Sequence, residues 1–240
     1  MSNFVFTDGI VRDVTDYCNN KRYSEDGTIV LMCPCCLHMT KINVSILNVI
    51  GSHKINNFYI ETKYNGECSN CNEYVEFECI DINMAEIIEI LNSKGYYTAF
   101  SCEGHIESDI ITGKDVFSNP YIYFYFWEDS EILKDYPLPK TWKLPEDHAK
   151  CARFSIYDNI EDIIPDEIKS NDSDNFIMWL YNNWDKENRL KDIYDWAVSL
   201  PDRDEEFKKS RLDLSKTYGN MLLLNNSDRY IETHKKISSL

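Results

Sequence analysis

Apolar and polar positions alternate in short runs over the first part of the chain and give way to helical periods in the last. Thr28 to Met32 is a β-branched run and Thr40 to Val44 alternates, so both read as strands. Phe4-Val5-Phe6 and Phe58-Tyr59-Ile60 are shorter candidates. From Tyr74 to Cys79 the alternation puts Tyr74, Glu76 and Glu78 on one face and Val75, Phe77 and Cys79 on the other. The period then changes. Met84, Ile87, Ile88 and Leu91 fall at i, i+3, i+4 and i+7, which predicts a helix with Asn83 and Glu86 as a capping box and Gly95 as its stop.

Tyr96 to Cys102 reads as a strand, followed by the turn Glu103-Gly104-His105 and a polar loop to Pro120. The run Tyr-Ile-Tyr-Phe-Tyr-Phe-Trp at 121–127 is apolar on both faces and predicts a central, covered strand. Prolines 137, 139 and 145 make 131–150 an irregular connection, and Ala152 to Tyr157 is a further strand. Beyond about residue 158 the periods are helical. Ser173 or Asp174 starts a helix carrying Phe176, Ile177, Leu180 and Trp184. Asp185 starts a second with Leu190, Ile193, Tyr194 and Ala197, ended by Pro201. A third begins near Asp202 or Asp204 and runs past Phe207 and Leu214 to about Gly219. The fold class is therefore α+β, in three regions: 1–80, an 81–157 sheet region, and a helical 158–240 that is either a cap on the sheet or a subdomain.

Cysteine spacing adds chemistry to the first region. Cys33-Pro34-Cys35-Cys36 and Cys68-Ser69-Asn70-Cys71 each hold a Cys-x-x-Cys, with 31 residues between the pairs. Two such turns complete a tetrahedral S4 set suited to structural Zn2+, with no position left open for catalysis. The ligands expected are Cys33, Cys36, Cys68 and Cys71, with Cys35 and His38 as alternatives inside the first turn; the competing reading is paired buried or redox cysteines. Strand, knuckle, strands, knuckle, strand over 28–80 resembles a zinc ribbon with a long insertion. The ribbon is fused to the mixed sheet that follows. Nine cysteines, an odd number, fit a reducing cytoplasm better than a disulfide framework. The N-terminal residues show no secretory leader, and no apolar stretch approaches the roughly 18 residues of a membrane span.

Charge narrows the partners. The formal net charge is -16, and residues 51–157 carry 18 acidic against 9 basic groups. Nucleic-acid binding draws on Lys and Arg that displace counterions, and no segment offers a basic block. General DNA or RNA binding is disfavoured. An acidic surface serves solubility or meets a protein with a basic surface.

A second candidate site is Ser101-Cys102-Glu103-Gly104-His105. A thiol, a carboxylate and an imidazole at a strand end can supply a nucleophile, a base or metal ligands. The bland alternative is a small strand cysteine and a polar turn histidine. Cys102-x-x-His105 is echoed in reverse by His148-x-x-Cys151, so the four together define a possible second S2N2 metal site. Tyr96, Tyr97, Tyr121, Tyr123 and Tyr125 can stack bases, as in single-strand binders, but without a basic groove they read as packing residues. Phosphate loops, the G-x-S-x-G elbow, H-E-x-x-H and the deaminase signature are all absent from the sequence.

The segment from Leu91 to His105, with the Tyr-Ile-Tyr-Phe strand after it, resembles a segment of uncharacterised proteins from Gram-positive bacteria and their phages. Its Ser-Cys-x-Gly strand end is also similar to that of wybutosine-synthesis methyltransferases. That family carries a basic residue after the glycine and a basic RNA surface; here His105 follows the glycine and the surface charge is negative. The resemblance covers about residues 81–127 and implies a helix–strand–turn–strand unit, without methyl transfer. The functional expectation is a zinc-binding, acidic interaction or inhibitor protein, phage-encoded and directed at a host nucleic-acid-handling or defence protein. The alternative is a small enzyme acting on a nucleotide or modified nucleic acid at Cys102, Glu103 and His105.

Overall fold

The computed structural model describes residues 5–11, 28–43, 59–109, 114–144, 154–169 and 173–213. Their architecture is α+β. A five-stranded antiparallel sheet is built from β1 (Val5–Val11), β2 (Thr28–Met32), β3 (Met39–Asn43), β4 (Tyr59–Glu67) and β5 (Tyr74–Ile80), in the order β1-β4-β5-β2-β3. β2–β3 and β4–β5 are hairpins, and each turns through one Cys-x-x-Cys. Pairing of β2 with β5, Met32 opposite Glu78, sets the two turns side by side. On β5 the alternation holds: Val75 and Phe77 are buried, while Tyr74 is exposed.

Helix α1 (Ile82–Ser93) follows directly, with Met84, Ile87, Ile88 and Leu91 buried as the period predicts. Its start differs from the predicted capping box. The N-cap is Asp81 rather than Asn83, and the Asp81 side chain makes no capping bond. Instead the Asn83 N–H, an unsatisfied donor of the first turn, donates to Glu103 Oε2 at 3.2 Å. The other end is as expected. Gly95, at φ +92°, is flanked by Gly95 N–H to Asn92 O and Tyr96 N–H to Leu91 O, both at C-terminal Schellman positions. Buried Asn92 then ties helix to strand, its Oδ1 accepting from Thr98 N–H at 2.9 Å.

A second sheet, ordered β10-β11-β9-β6, comprises β6 (Thr98–Cys102), β9 (Tyr121–Phe124), β10 (Trp142–Lys143) and β11 (Phe154–Asp158). β9 is internal, as its apolar run predicts, but only its Ile122–Phe124 face is fully covered and it ends at Phe124; Trp127 already begins a 3-10 helix, Trp127–Lys134. The polar loop predicted before Pro120 contains a hairpin, β7 (His105–Asp109) with β8 (Lys114–Ser118). The register separates the sheet's two faces. Ile122, Phe124, Phe154 and Ile156 are buried in the core, Phe124 and Phe154 stacking at 4.2 Å between centroids. Phe100–Tyr123–Ser155 and Cys102–Tyr121–Tyr157 share the opposite face, where Ser155 is buried, Phe100 exposed and the other four half-buried.

The helices after β11 are α2 (Asp166–Lys169), α3 (Ser173–Asn183), α4 (Lys186–Ser199) and α5 at 205–213. Asp185 caps α4 by accepting the Asn188 N–H, and Asp204 accepts from Phe207 N–H ahead of α5. Leu190, Ile193, Trp196 and Ala197 of α4 join Val30 and Met32 of β2, α1 and the second sheet in one core. Arg189 fastens α4 to that sheet, donating to both oxygens of buried Asp158 at 2.6–3.0 Å. Tyr96 and Tyr97 are buried and donate to Pro201 O and Lys208 O, and Tyr125 is buried too. These three are packing residues; Tyr121 and Tyr123 lie on the open face.

Candidate functional site

Each cysteine turn repeats one hydrogen-bond pattern. Cys33 N–H donates to His38 O and Leu37 N–H to Cys33 O; Cys68 N–H donates to Glu73 O and Asn72 N–H to Cys68 O, all at 2.8–2.9 Å. The residue after the second cysteine is left-handed in both, Leu37 and Asn72 at φ 59°. This folds each Cys-x-x-Cys so that its two sulfurs face the other pair. Cys33 and Cys71 Sγ are 3.7 Å apart, Cys36 and Cys68 Sγ 3.6 Å, and all four lie within 4.8 Å of one another.

A tetrahedral ion with metal–sulfur bonds of about 2.3 Å has sulfur–sulfur edges of about 3.8 Å. The four sulfurs fit that shell and could hold a metal ion. Their protonation is uneven: the hydrogen bond from the Cys33 thiol lowers Cys36 to about 4 against burial. The same bond and then burial push Cys33 up, and burial raises Cys71 to about 11. Four thiolates this close need a cation among them to ionise together. Cys35 and His38 stand outside the sulfur group; Cys35 is half-buried and His38 exposed.

The strand end at Cys102 forms a second polar centre. Gly104, at φ +81°, turns the chain out of β6, and a Cβ there would stand 2.6 Å from Pro120 and 2.8 Å from Trp184. Only glycine suits both the conformation and the space. The turn aims its amides inward: Glu103 N–H donates to Asp81 Oδ2 at 2.9 Å and Gly104 N–H to Cys102 Sγ at 3.3 Å. His105 Nε2 lies 3.2 Å from the same Asp81 oxygen. Burial opposes His105 protonation, yet the hydrogen bonds to Asp81 and Cys102 outweigh it and raise the imidazole to about 10.

Glu103 is fully buried, and its oxygens go to Asn83 N–H and to Lys186 Nζ at 2.6 Å. Lys186, the first residue of α4, also donates to Gly104 O at 3.0 Å. Cys102, Glu103 and His105 are thus together as the sequence order implies. Asp81 and Lys186 were missed, since one lies at the foot of a helix and the other 83 residues beyond Glu103. His148 and Cys151 lie outside the described residues.

A groove of about 810 Å³ runs between α1 and α4. Ile87 and Leu190 are its buried apolar residues, and four carboxylates, Glu86, Asp185, Glu187 and Asp195, outnumber Lys186 and Lys191. Both lysines are paired internally, Lys186 with Glu103 and Lys191 with Asp195. Searches of protein-family models, curated proteins and solved structures return no match to the chain. Among the described residues no helix is long and apolar enough to cross a membrane.

Proposed function

We propose that the chain is a zinc-organised protein-binding module that takes a basic, apolar-anchored segment of a partner protein in the α1–α4 groove. Zn2+ is the ion that best suits a buried S4 shell of this size, and it has a structural role because the shell leaves no open position. The two cysteine hairpins then constitute the zinc ribbon expected over 28–80. One observation carries the binding reading: with Lys191 paired to Asp195 and Lys186 to Glu103, Glu86, Asp185 and Glu187 are the groove's carboxylates with no cation opposite them among the described residues. A negative rim over an apolar floor favours Lys and Arg around a hydrophobic anchor, and steers their approach.

The test is calorimetric titration of the full chain with a Lys/Arg-rich amphipathic peptide and its Glu-substituted counterpart. Binding to the basic peptide alone is expected, with loss of about tenfold affinity in Glu187→Lys and further loss as salt rises. Equal binding of both peptides, or indifference to the charge reversal, overturns the reading.

A second reading has its own support. Asp81, His105 and Cys102 form a row in which an imidazole oriented by a carboxylate meets a thiol, as in nucleophilic cysteine sites. In that reading Glu103 holds the turn in place through Lys186 and Asn83. Modification of Cys102 by a nucleotide-derived electrophile, lost in Asp81→Asn, supports it.

A further inference from the structure

We infer that Asp81, Cys102 and His105 form a second Zn2+ site, distinct from the four-cysteine centre. The ligand-type atoms of these three residues lie within 4.8 Å of one another. For bonds of about 2.0–2.1 Å, two N/O ligands of a tetrahedral ion stand about 3.4 Å apart; His105 Nε2 and Asp81 Oδ2 stand at 3.2 Å. Asp81 is 3 % and His105 8 % exposed, and Cys102 is half-buried, so the centre is open to solvent on its thiol side alone.

The donor set selects the ion. One thiolate, one imidazole and one carboxylate suit a borderline ion such as Zn2+ and suit Mg2+ or Ca2+ poorly. The two anionic ligands balance its charge. Lys186, the cation bound to the same turn, is engaged by Glu103 and Gly104 O. The surroundings are those of a ligand shell: Glu103 N–H fixes the Asp81 oxygen and Gly104 N–H fixes the Cys102 sulfur. Backbone donors at these atoms orient the ligands without competing as acceptors. Asp81 forgoes capping its own helix to take part, and Glu103 replaces it at Asn83 N–H. Three protein ligands leave a fourth position for water or an exogenous donor, unlike the closed S4 shell.

The experiment is metal analysis of the full chain after zinc loading and gel filtration, with Co2+ absorption as a second readout. Two equivalents per chain are expected. Asp81→Asn, Cys102→Ser and His105→Ala are each expected to retain one, with the intense sulfur-to-cobalt bands of the S4 centre unchanged, which also shows that the chain has folded. Cys36→Ser removes the S4 spectrum and leaves the weaker single-thiolate one, so failure at either centre is told apart from failure at the other. One equivalent in the parent chain, with Cys102 alkylated equally fast with and without zinc, overturns the proposal. So do two equivalents surviving in all three variants of the second site.

Discussion

Leu37 and Asn72 occupy the same position in two different turns, each one residue past the second cysteine and each at φ 59°. A left-handed conformation costs an ordinary L-residue roughly 1–2 kcal/mol, and less for Asn. The half-exposed second turn meets that cost with an Asn; the first keeps a leucine because the side chain is buried in the main core. Asn72→Gly is therefore expected to leave stability within about 0.5 kcal/mol, whereas β-branched Asn72→Val loses about 1–2 kcal/mol. Denaturant unfolding of the metal-loaded protein measures both, and equal midpoints for the two variants contradict the account.

The repeated turn also ranks the cysteines. Cys36, at the position equivalent to Cys71, lies within the four-sulfur group that could hold a metal ion, and Cys35 stands outside it. Cys35→Ser is expected to keep the tight metal equivalent and the parent melting temperature within a few degrees. Cys36→Ser loses both, and excess chelator reproduces its effect, because the buried sulfurs of the Ile29, Leu31, Val75 and Phe77 cluster have no other way to ionise together. Metal content after dialysis and melting curves decide between them.

Lys186 and Glu103 provide a third test. Glu103 is fully buried, and Lys186 supplies its only cation among the ion pairs of the described residues. Removing the lysine leaves a carboxylate buried without compensation, so Lys186→Met is expected to cost on the order of 3 kcal/mol. Glu103→Gln keeps an acceptor for Asn83 N–H and removes the charge; added to Lys186→Met, it is expected to restore a large part of the loss. A double-mutant cycle in urea checks this, and additive losses would show that the pair is not coupled.

Much of this architecture is written locally. The stripe Met84, Ile87, Ile88, Leu91 and the stop at Gly95 are consecutive signals of one helix, and both appear where the period places them. The helix start is different, because its first-turn donor is satisfied by Glu103, 20 residues away, and no neighbouring residue marks that bond. The β7–β8 hairpin was hidden for a related reason: His105 to Asp109 has little alternation, and its register comes from pairing with Lys114 to Ser118. At the polar centre, Cys102 and His105 are legible from their spacing. Asp81 carries no spacing signal of its own, and only the fold turns its carboxylate onto the strand end.

Asp129 supplies a pH dependence whose sign is fixed by burial. It is 1 % exposed, and neither carboxylate oxygen has a hydrogen-bond partner; Arg203 Nη2 lies 3.5 Å away. Burial raises its pKa from 3.8 to about 6, against the pull of Arg203 and Arg211. The folded chain therefore holds this proton more tightly than the unfolded one. Between pH 3.8 and about 6 the unfolded state has released it and the folded state has not, so stability falls as pH rises. The contribution is complete below the unfolded value and gone above the folded one, a span on the order of 2–3 kcal/mol. Asp129→Asn removes the titration. The stability difference between variant and parent should grow in the variant's favour from pH 4 to about pH 6 and then level off. Urea unfolding across that range measures it, and a difference that stays flat would show that Asp129 ionises equally in both states.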